Sequence, residues 1–296
     1  MLFFTTLLRI FARVMNYQQL WNRLAKVYGE GEAKAIARMV YEVRYGLSLS
    51  DLLMGRDSEV PQDELEEIAR RLEQQEPVQY VLGETEFCGH PFFVNQHVLI
   101  PRPETAELCR WIVESVDANT HHPTPNTQLL DIGTGSGCIA VTLAAEIPEA
   151  EVTAWDISAE ALEVARANAI RNNVKVKFEQ VDILNSPHSS FLIPHSSLIV
   201  SNPPYICNKE RMTMEQNVLN YEPHTALFVP DDDPLLFYRA IATYALTALK
   251  EGGWLYFEIN PLYAEPLADM LSAMSFHGIE TKRDQYGKQR MIRARR

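Results

Sequence analysis

Residues 131–137 read Asp-Ile-Gly-Thr-Gly-Ser-Gly, between an apolar run at 129–132 and a helix-forming stretch at 136–145. Glycines at alternate positions permit a tight turn with positive φ and let a ligand approach the main chain without interference from Cβ atoms. Such a turn ends a buried strand and opens a helix, and the pattern around it repeats. Strands are expected at 129–132, 152–155, 174–178, 198–200 and 254–259, with helices at 136–145, 158–171 and 235–249. Regular alternation of this kind builds a parallel sheet covered by helices on both faces. A final pair at 278–281 and 290–294 is expected to add an antiparallel edge. The expected class is α/β, with a mostly parallel sheet.

The glycine run also limits the ligand. Asp156 closes the next strand, 19 residues after Gly137, where a carboxylate can accept hydrogen bonds from both ribose hydroxyls. Nicotinamide-binding folds share this logic, and the run from Gly135 to Ala140 meets the loose form of their fingerprint. Asp131 separates the two. A carboxylate at the strand end repels a pyrophosphate but suits the ammonium of a methionine moiety, which favours S-adenosylmethionine (SAM) over NAD. Gly133, Thr134, Gly135, Ser136 and Gly137 are the expected cradle. Asp182 can accept from an adenine amino group or cap a helix, and Ile183 offers apolar contact to the ring.

After the fourth strand comes Ser201-Asn202-Pro203-Pro204-Tyr205. Consecutive prolines fix φ, hold Asn202 extended and supply no N–H donors. The side-chain oxygen of Asn202 and the Pro203 carbonyl can then accept the two hydrogens of a planar NH₂ group, with Tyr205 stacked over it. An amide or exocyclic amine is a poor nucleophile because its lone pair is delocalised. Holding both hydrogens enriches the nitrogen and aims it at a methyl donor, without a strong base.

The rest of the chain frames this centre. Residues 15–77 carry apolar positions at helical spacing: Leu20, Leu24 and Val27; Ala33, Ile36, Val40 and Val43; and Leu65, Ile68 and Leu72 after Pro61. They predict a small helical domain fit for docking a macromolecule. Residues 78–104, with Val78, Tyr80, Phe87, Phe92, Phe93 and Val94 among Gly83, Gly89 and Pro91, predict a β-hairpin linker to a catalytic domain at 105–296. Within that domain a helix is expected at 105–116 and a polar loop at 117–127. Residues 1–14 are expected to be a poorly ordered extension, since Met15 opens the first amphipathic pattern and no cleavage site follows the apolar run from Leu2 to Leu8. That run is also too short to span a bilayer.

Thirty-nine acidic residues against 27 Lys and Arg give a net charge of −12, which disfavours broad nonspecific binding to nucleic acid. Seven of the basic residues fall between Lys282 and Arg296, where a solvated terminal strand is the plainer reading than an RNA contact. Cys88, Cys109, Cys138 and Cys207 lie far apart without C-x-x-C spacing, and His121-His122 sits in a Pro/Asn/Thr stretch. No metal site is expected, and free thiols suit a reducing cytoplasm.

Several segments together resemble the protein-(glutamine-N5) methyltransferases of peptide-chain release factors, the PrmC/HemK family. They are Pro77-Val78-Gln79-Tyr80-Val81-Leu82-Gly83-Glu84, Phe87 with Gly89, Ile100-Pro101-Arg102-Pro103-Glu104-Thr105, the run from Asp131 to Gly137, Asn202 to Tyr205, and Glu222-Pro223 with Ala226-Leu227. The resemblance covers most of residues 16–296. It implies a Rossmann-like SAM-dependent methyltransferase fold preceded by a helical domain and a hairpin, with a release-factor glutamine in a Gly-Gly-Gln loop as substrate. It places SAM against Gly133 to Gly137, Asp156, Ile183 and Asn202, and the glutamine against Asn202, Pro203, Pro204 and Tyr205. Ala106, Ile183 and Ser197 depart from residues frequent in the family, and none of them is a proposed acceptor. Adenine N6, cytosine N4 and guanine N2 present the same NH₂ geometry, so a nucleic-acid amino methyltransferase is the alternative. Such an enzyme needs a basic groove and a pocket for a displaced base. A nicotinamide dehydrogenase lacks an evident acid or base for hydride transfer, and a binding module without catalysis leaves the acceptor motif unexplained.

Overall fold

The structure, a computed structural model, describes residues 15–120, 127–185 and 196–296. The expected extension at 1–14, the His121-His122 pair and most of the Ser/Pro/His-rich segment after Asn185 lie outside the described residues. Two compact units divide the chain: one runs to Gly83 and takes in Gln216–Tyr221, and the other comprises Glu84–Glu215 and Glu222–Arg296.

The first unit is helical: α1 (Tyr17–Tyr28), α2 (Glu30–Met39), α3 (Leu49–Leu53), α4 (Gln62–Glu73) and α5 (Val78–Leu82). Asn16 starts α1 with a capping box, its side chain accepting from Gln19 N at 2.9 Å while the Gln19 side chain accepts from Asn16 N at 3.1 Å. Leu20, Leu24, Ala33, Ile36, Val40, Leu65, Ile68 and Leu72 form its core as their spacing predicts. Arg23 clamps α1 to α4 through Glu66 and Glu73. Val27 and Val43 are exposed instead. Val43 falls in a π-helical turn, Val40–Arg44, whose wider i→i+5 winding rotates it off the face that Val40 occupies.

The expected hairpin linker begins later than its composition suggests. Pro77 presets an extended entry and Gly83 accepts a left-handed exit (φ 77°), so residues 78–82 close a helical turn whose Tyr80 and Val81 are buried. The hairpin itself is β1 (Glu84–Phe87) with β2 (His90–Phe93), paired in antiparallel register.

The second unit continues with α6 (Pro103–Thr120), β3 (Gln128–Ile132), α7 (Cys138–Glu146), β4 (Glu151–Asp156), α8 (Ala159–Arg171), β5 (Val176–Gln180), β6 (Ser196–Ser201) and β7 (Ile206–Cys207); after α9 (Gln216–Tyr221), which belongs to the first unit, come β8 (Phe228–Val229), α10 (Leu236–Ala248), β9 (Leu249–Glu258), α11 (Ala264–Ala273), β10 (His277–Arg283) and β11 (Gln289–Arg295). Seven strands form one sheet in the order β10-β11-β9-β6-β3-β4-β5. Five are parallel, and β11 and β10 add the antiparallel edge. This is the Rossmann-like α/β architecture expected above, a mostly parallel sheet with an antiparallel edge.

Local differences have local causes. Helix α6 runs past 116 to Thr120, because the first proline is Pro123. Strand β5 starts two residues late because Val174 N still caps α8 through Ala169 O, after a left-handed Asn173 (φ 54°). Strand β9 begins at Leu249, since the Gly252-Gly253 pair is part of the strand instead of a turn before it. A Cβ on Gly253 would stand 3.1 Å from Ser197 O, so the two backbones can approach only without one. Asn168, fully buried on α8, joins three elements. Its amide donates to Phe93 O and Ser136 O at 3.0 and 2.9 Å and accepts from Phe93 N at 2.6 Å.

Gly137 has two reasons to be glycine. Its φ is +81°, and a Cβ there would meet Ala165 Cβ at 3.0 Å. Gly137→Ala is therefore expected to destabilise the fold by about 1–3 kcal/mol through strain and overpacking; urea unfolding of the two proteins measures it.

Candidate active site

The parallel register creates the site. Trp155, Ile132, Ser201 and Phe257 lie in one row across β4, β3, β6 and β9, so the next residues, Asp156, Gly133, Asn202 and Glu258, come out together at the carboxyl edge. Beyond Asp156, β5 delivers Asp182 to the same edge. From β6 to β5 is three strand spacings, roughly 14 Å at ~4.8 Å each, the reach of an extended nucleoside.

Gly133, Gly135 and Gly137 all have positive φ (75°, 53° and 81°). Gly133 N and Thr134 N both donate to Trp155 O, at 2.8 and 2.9 Å, which locks the turn to the neighbouring strand. A Cβ on Gly133 or Gly135 would meet nothing within 4 Å, so these two glycines serve the backbone conformation and leave an open face. Above them lies a cavity of about 390 Å³. Its walls include Gly133 to Ser136, Asp156, Asp182, Ile183, Asn202, Pro203 and Pro204, together with Arg102 and Thr105. Gly137 and Tyr205 stand behind the walls.

The acids differ in their environments. Asp156 Oδ2 accepts from Gly135 N at 2.8 Å and Oδ1 from Ser158 N at 2.9 Å; burial raises its pKa against the pull of these donors. Asp182 stands on the cavity wall and closes an Asx turn instead of capping a helix, with Leu184 N on Oδ1 at 2.9 Å and the Asn185 amide on Oδ2 at 2.7 Å. Asp131 lies behind the turn, 1% exposed. Its Oδ2 accepts from the Thr134 hydroxyl at 2.6 Å, whereas Oδ1 has no partner at full hydrogen-bond geometry among the described residues, the Ala140 N–H adding only a weaker pull on the carboxyl. Burial pushes its pKa up to about 7. An orphaned carboxylate oxygen beneath an open glycine turn, with ribose-competent Asp156 beyond it, suits a ligand that carries a cationic group and a nucleoside.

Asn202 donates from Nδ2 to Thr105 Oγ1 at 3.2 Å, and among the described residues nothing donates to its Oδ1. Tyr205 departs from its expected stacking role. Its hydroxyl donates to Glu258 Oε1 at 3.0 Å and its ring packs on the core, while burial, with the Glu258 charge, raises its pKa far above the usual phenol range. It anchors the wall from behind. Sequence patterns missed Thr105 and Glu258, although a lone acid inside the apolar run Trp254-Leu255-Tyr256-Phe257-Glu258-Ile259 was a signal for the latter. Also missed was buried Glu222, which accepts from Arg102 at 2.5 Å and from Ile100 N at 3.3 Å and so fixes the segment leading to Thr105.

The C-terminal cations serve the fold. Arg293 bonds Ser115, Tyr256 and Glu280 and lies over the Trp111 and Trp254 rings, while Arg290 pairs with Asp284 and Arg295 with Gly252 O. Among the described residues no metal-ligating cluster occurs, and no helix is long and apolar enough to cross a membrane.

Residues 17–83 match the PrmC N-terminal domain and 110–223 the Methyltransferase small domain. A release factor glutamine methyltransferase of Flavobacterium psychrophilum is 41% identical over 95% of this chain and 98% of its own, and one of Bacteroides thetaiotaomicron is 44% identical over 92% and 96%. The chain belongs to the release factor glutamine methyltransferase family. The fold of this family member is shared more widely: a crystal structure of the hMettl16 catalytic domain covers 90% of this chain and 81% of its own, with a TM-score of 0.53 at 16% identity.

The raised pKa of Asp131 has a signed consequence. The folded protein keeps this proton to about pH 7, whereas the unfolded chain releases it near the ordinary aspartate value of 3.8. The group's contribution to stability is therefore whole below about pH 4 and is lost as pH rises through about 7. Asp131→Asn removes that dependence and keeps an acceptor for Thr134, so the melting temperature of the variant is expected to gain on the parent's between pH 5 and pH 8.

Proposed function

We propose that this protein transfers a methyl group from SAM to the side-chain amide nitrogen, N5, of the glutamine in the Gly-Gly-Gln loop of a peptide-chain release factor, acting in the cytoplasm and without a metal. The observation that carries this reading is the shared edge: Asn202, with an unengaged carbonyl oxygen, and Asp156, a nucleoside-binding acid, flank one open glycine turn. The curated relatives bear the name of this activity over nearly the whole chain.

Asp156 would accept from the ribose of SAM, Ile183 would cover the adenine with Asp182 beside it, and Asp131, whose carboxyl a nearby ammonium would hold ionised, would face the methionine end from behind the turn. Bound there, SAM supplies an electrophilic methyl group on a positively charged sulfur. Asn202 Oδ1 and the Pro203 carbonyl accept the two amide hydrogens of the glutamine, hold its nitrogen in line with the methyl and stabilise the positive charge that the nitrogen gains before a proton leaves. The Pro203-Pro204 backbone cannot relax away, so this geometry is set before substrate arrives. One glutamine offers little contact area, so affinity must come largely from the folded body of the release factor.

Two substitutions divide binding from chemistry. Asp156→Ala is expected to weaken SAM binding by about 1.5–3 kcal/mol by calorimetry. Asn202→Ala should bind SAM and lose roughly 10²- to 10³-fold in single-turnover methylation of an intact release factor. Free glutamine, a Gly-Gly-Gln peptide, DNA and RNA are assayed in parallel; methylation of DNA or RNA in preference to the factor would replace this reading with the nucleic-acid one.

A further inference from the structure

A side-chain amide has two nearly equivalent faces. The terminal torsion of asparagine is broad and roughly two-fold, so an Asn that must accept from an NH₂ group has to be prevented from turning its own NH₂ toward the substrate. The wall of the cavity contains a device that makes this choice.

Glu258 is fully buried at the end of β9 and receives two hydroxyls, Thr105 Oγ1 on Oε2 at 2.6 Å and the Tyr205 hydroxyl on Oε1 at 3.0 Å. Burial raises the pKa of Glu258, but both hydroxyls donate to it and the Arg290 charge pulls the other way; as a carboxylate it only accepts, so the single hydroxyl hydrogen of Thr105 is committed to Glu258. What remains on Thr105 Oγ1 is a lone pair, and it faces Asn202 Nδ2 at 3.2 Å. Thr105 can therefore receive the Asn202 amide only by its NH₂ end. The carbonyl end, Oδ1, is turned the other way and is free to accept. Thr105 is 2% exposed at the start of α6, and the segment before it is tied down by the Arg102–Glu222 pair, so the acceptor cannot drift.

We propose that Thr105 is a positioning residue: with its hydroxyl polarised by Glu258, it fixes the orientation of the Asn202 amide so that the carbonyl oxygen, not the NH₂ group, meets the substrate amide. The proposal rests on the acceptor role given to Asn202 above. It assigns a task to the Pro-Glu-Thr segment, which neither the ribose site nor the glycine turn uses.

The test is single-turnover methylation of a purified intact release factor at saturating SAM, with SAM affinity and the KM for the factor measured alongside. Thr105→Val, which keeps the shape and removes the acceptor, is expected to lower the methylation rate about 5- to 20-fold, less than loss of Asn202 itself, while both binding constants stay within about twofold. Thr105→Ser restores the hydroxyl and should restore the rate. Thr105→Ala, which only removes atoms, gives the same reading as Val should the valine methyl unsettle the fold. In an Asn202→Ala background, Thr105→Val should cost nothing further, because there is no amide left to orient. A Thr105→Val protein as fast as the parent, a Ser variant as slow as the Val variant, or losses that multiply in the double variant would each overturn the proposal. Near-normal turnover in Asn202→Ala alone would instead show that the acceptor reading of Asn202 is at fault.

Discussion

The structure depends on one set of hydrogen bonds, the parallel ladder that joins β4, β3, β6 and β9 in matched register. Because Trp155, Ile132, Ser201 and Phe257 stand side by side, the chain leaves four strands at the same height and exposes Asp156, Gly133, Asn202 and Glu258 in a line. A slip of one residue in any strand would turn its buried set outward and move its edge residue away from the others. The packing of Leu130, Ile132, Ile199, Leu255 and Phe257 against the helices is thus what places the polar groups.

At that edge stand three carboxyl groups, Asp131 and Glu258 buried and Asp156 half-buried on the cavity wall, and the protein treats each differently. Asp156 is compensated by two backbone N–H groups, Glu258 by two hydroxyls, and Asp131 by one hydroxyl with an oxygen to spare. A buried carboxylate with unused acceptor capacity is unfavourable until a donor or a cation meets it. The result is a graded edge: Asp156 and Glu258 each meet two donors, one on each oxygen, while Asp131 keeps one oxygen without a full partner. The same burial that raises these pKa values strengthens every hydrogen bond made to a ligand there.

Legibility of the chain followed the range of the interactions involved. The helix spacing of Leu20, Leu24, Leu65 and Leu72, the strands around the glycine run and the antiparallel edge could be read because each is a local pattern matched to a local period. Val43 could not, because a π turn shifts the period within one helix. Tyr80 was misplaced because aromatic and β-branched content favours a strand, while the flanking Pro77 and Gly83 dictated a helical turn. Tyr205 was read from its neighbours in sequence as a ring over the substrate, yet its hydroxyl finds Glu258, 53 residues away.

By itself the sequence determined which residue types the active edge would contain: glycines that alone tolerate the turn, an acid one strand on, and an asparagine stiffened by two prolines, since these properties reside in single residues and their immediate neighbours. Only the tertiary structure decided how they are oriented. The direction of the Asn202 amide, the unpartnered oxygen of Asp131 and the anchoring of the Tyr205 hydroxyl on Glu258 each depend on groups brought close by strand register or helix packing. A hydrogen bond between Thr105 and Asn202 spans 97 residues of chain, and no local pattern encodes which end of an amide will face it.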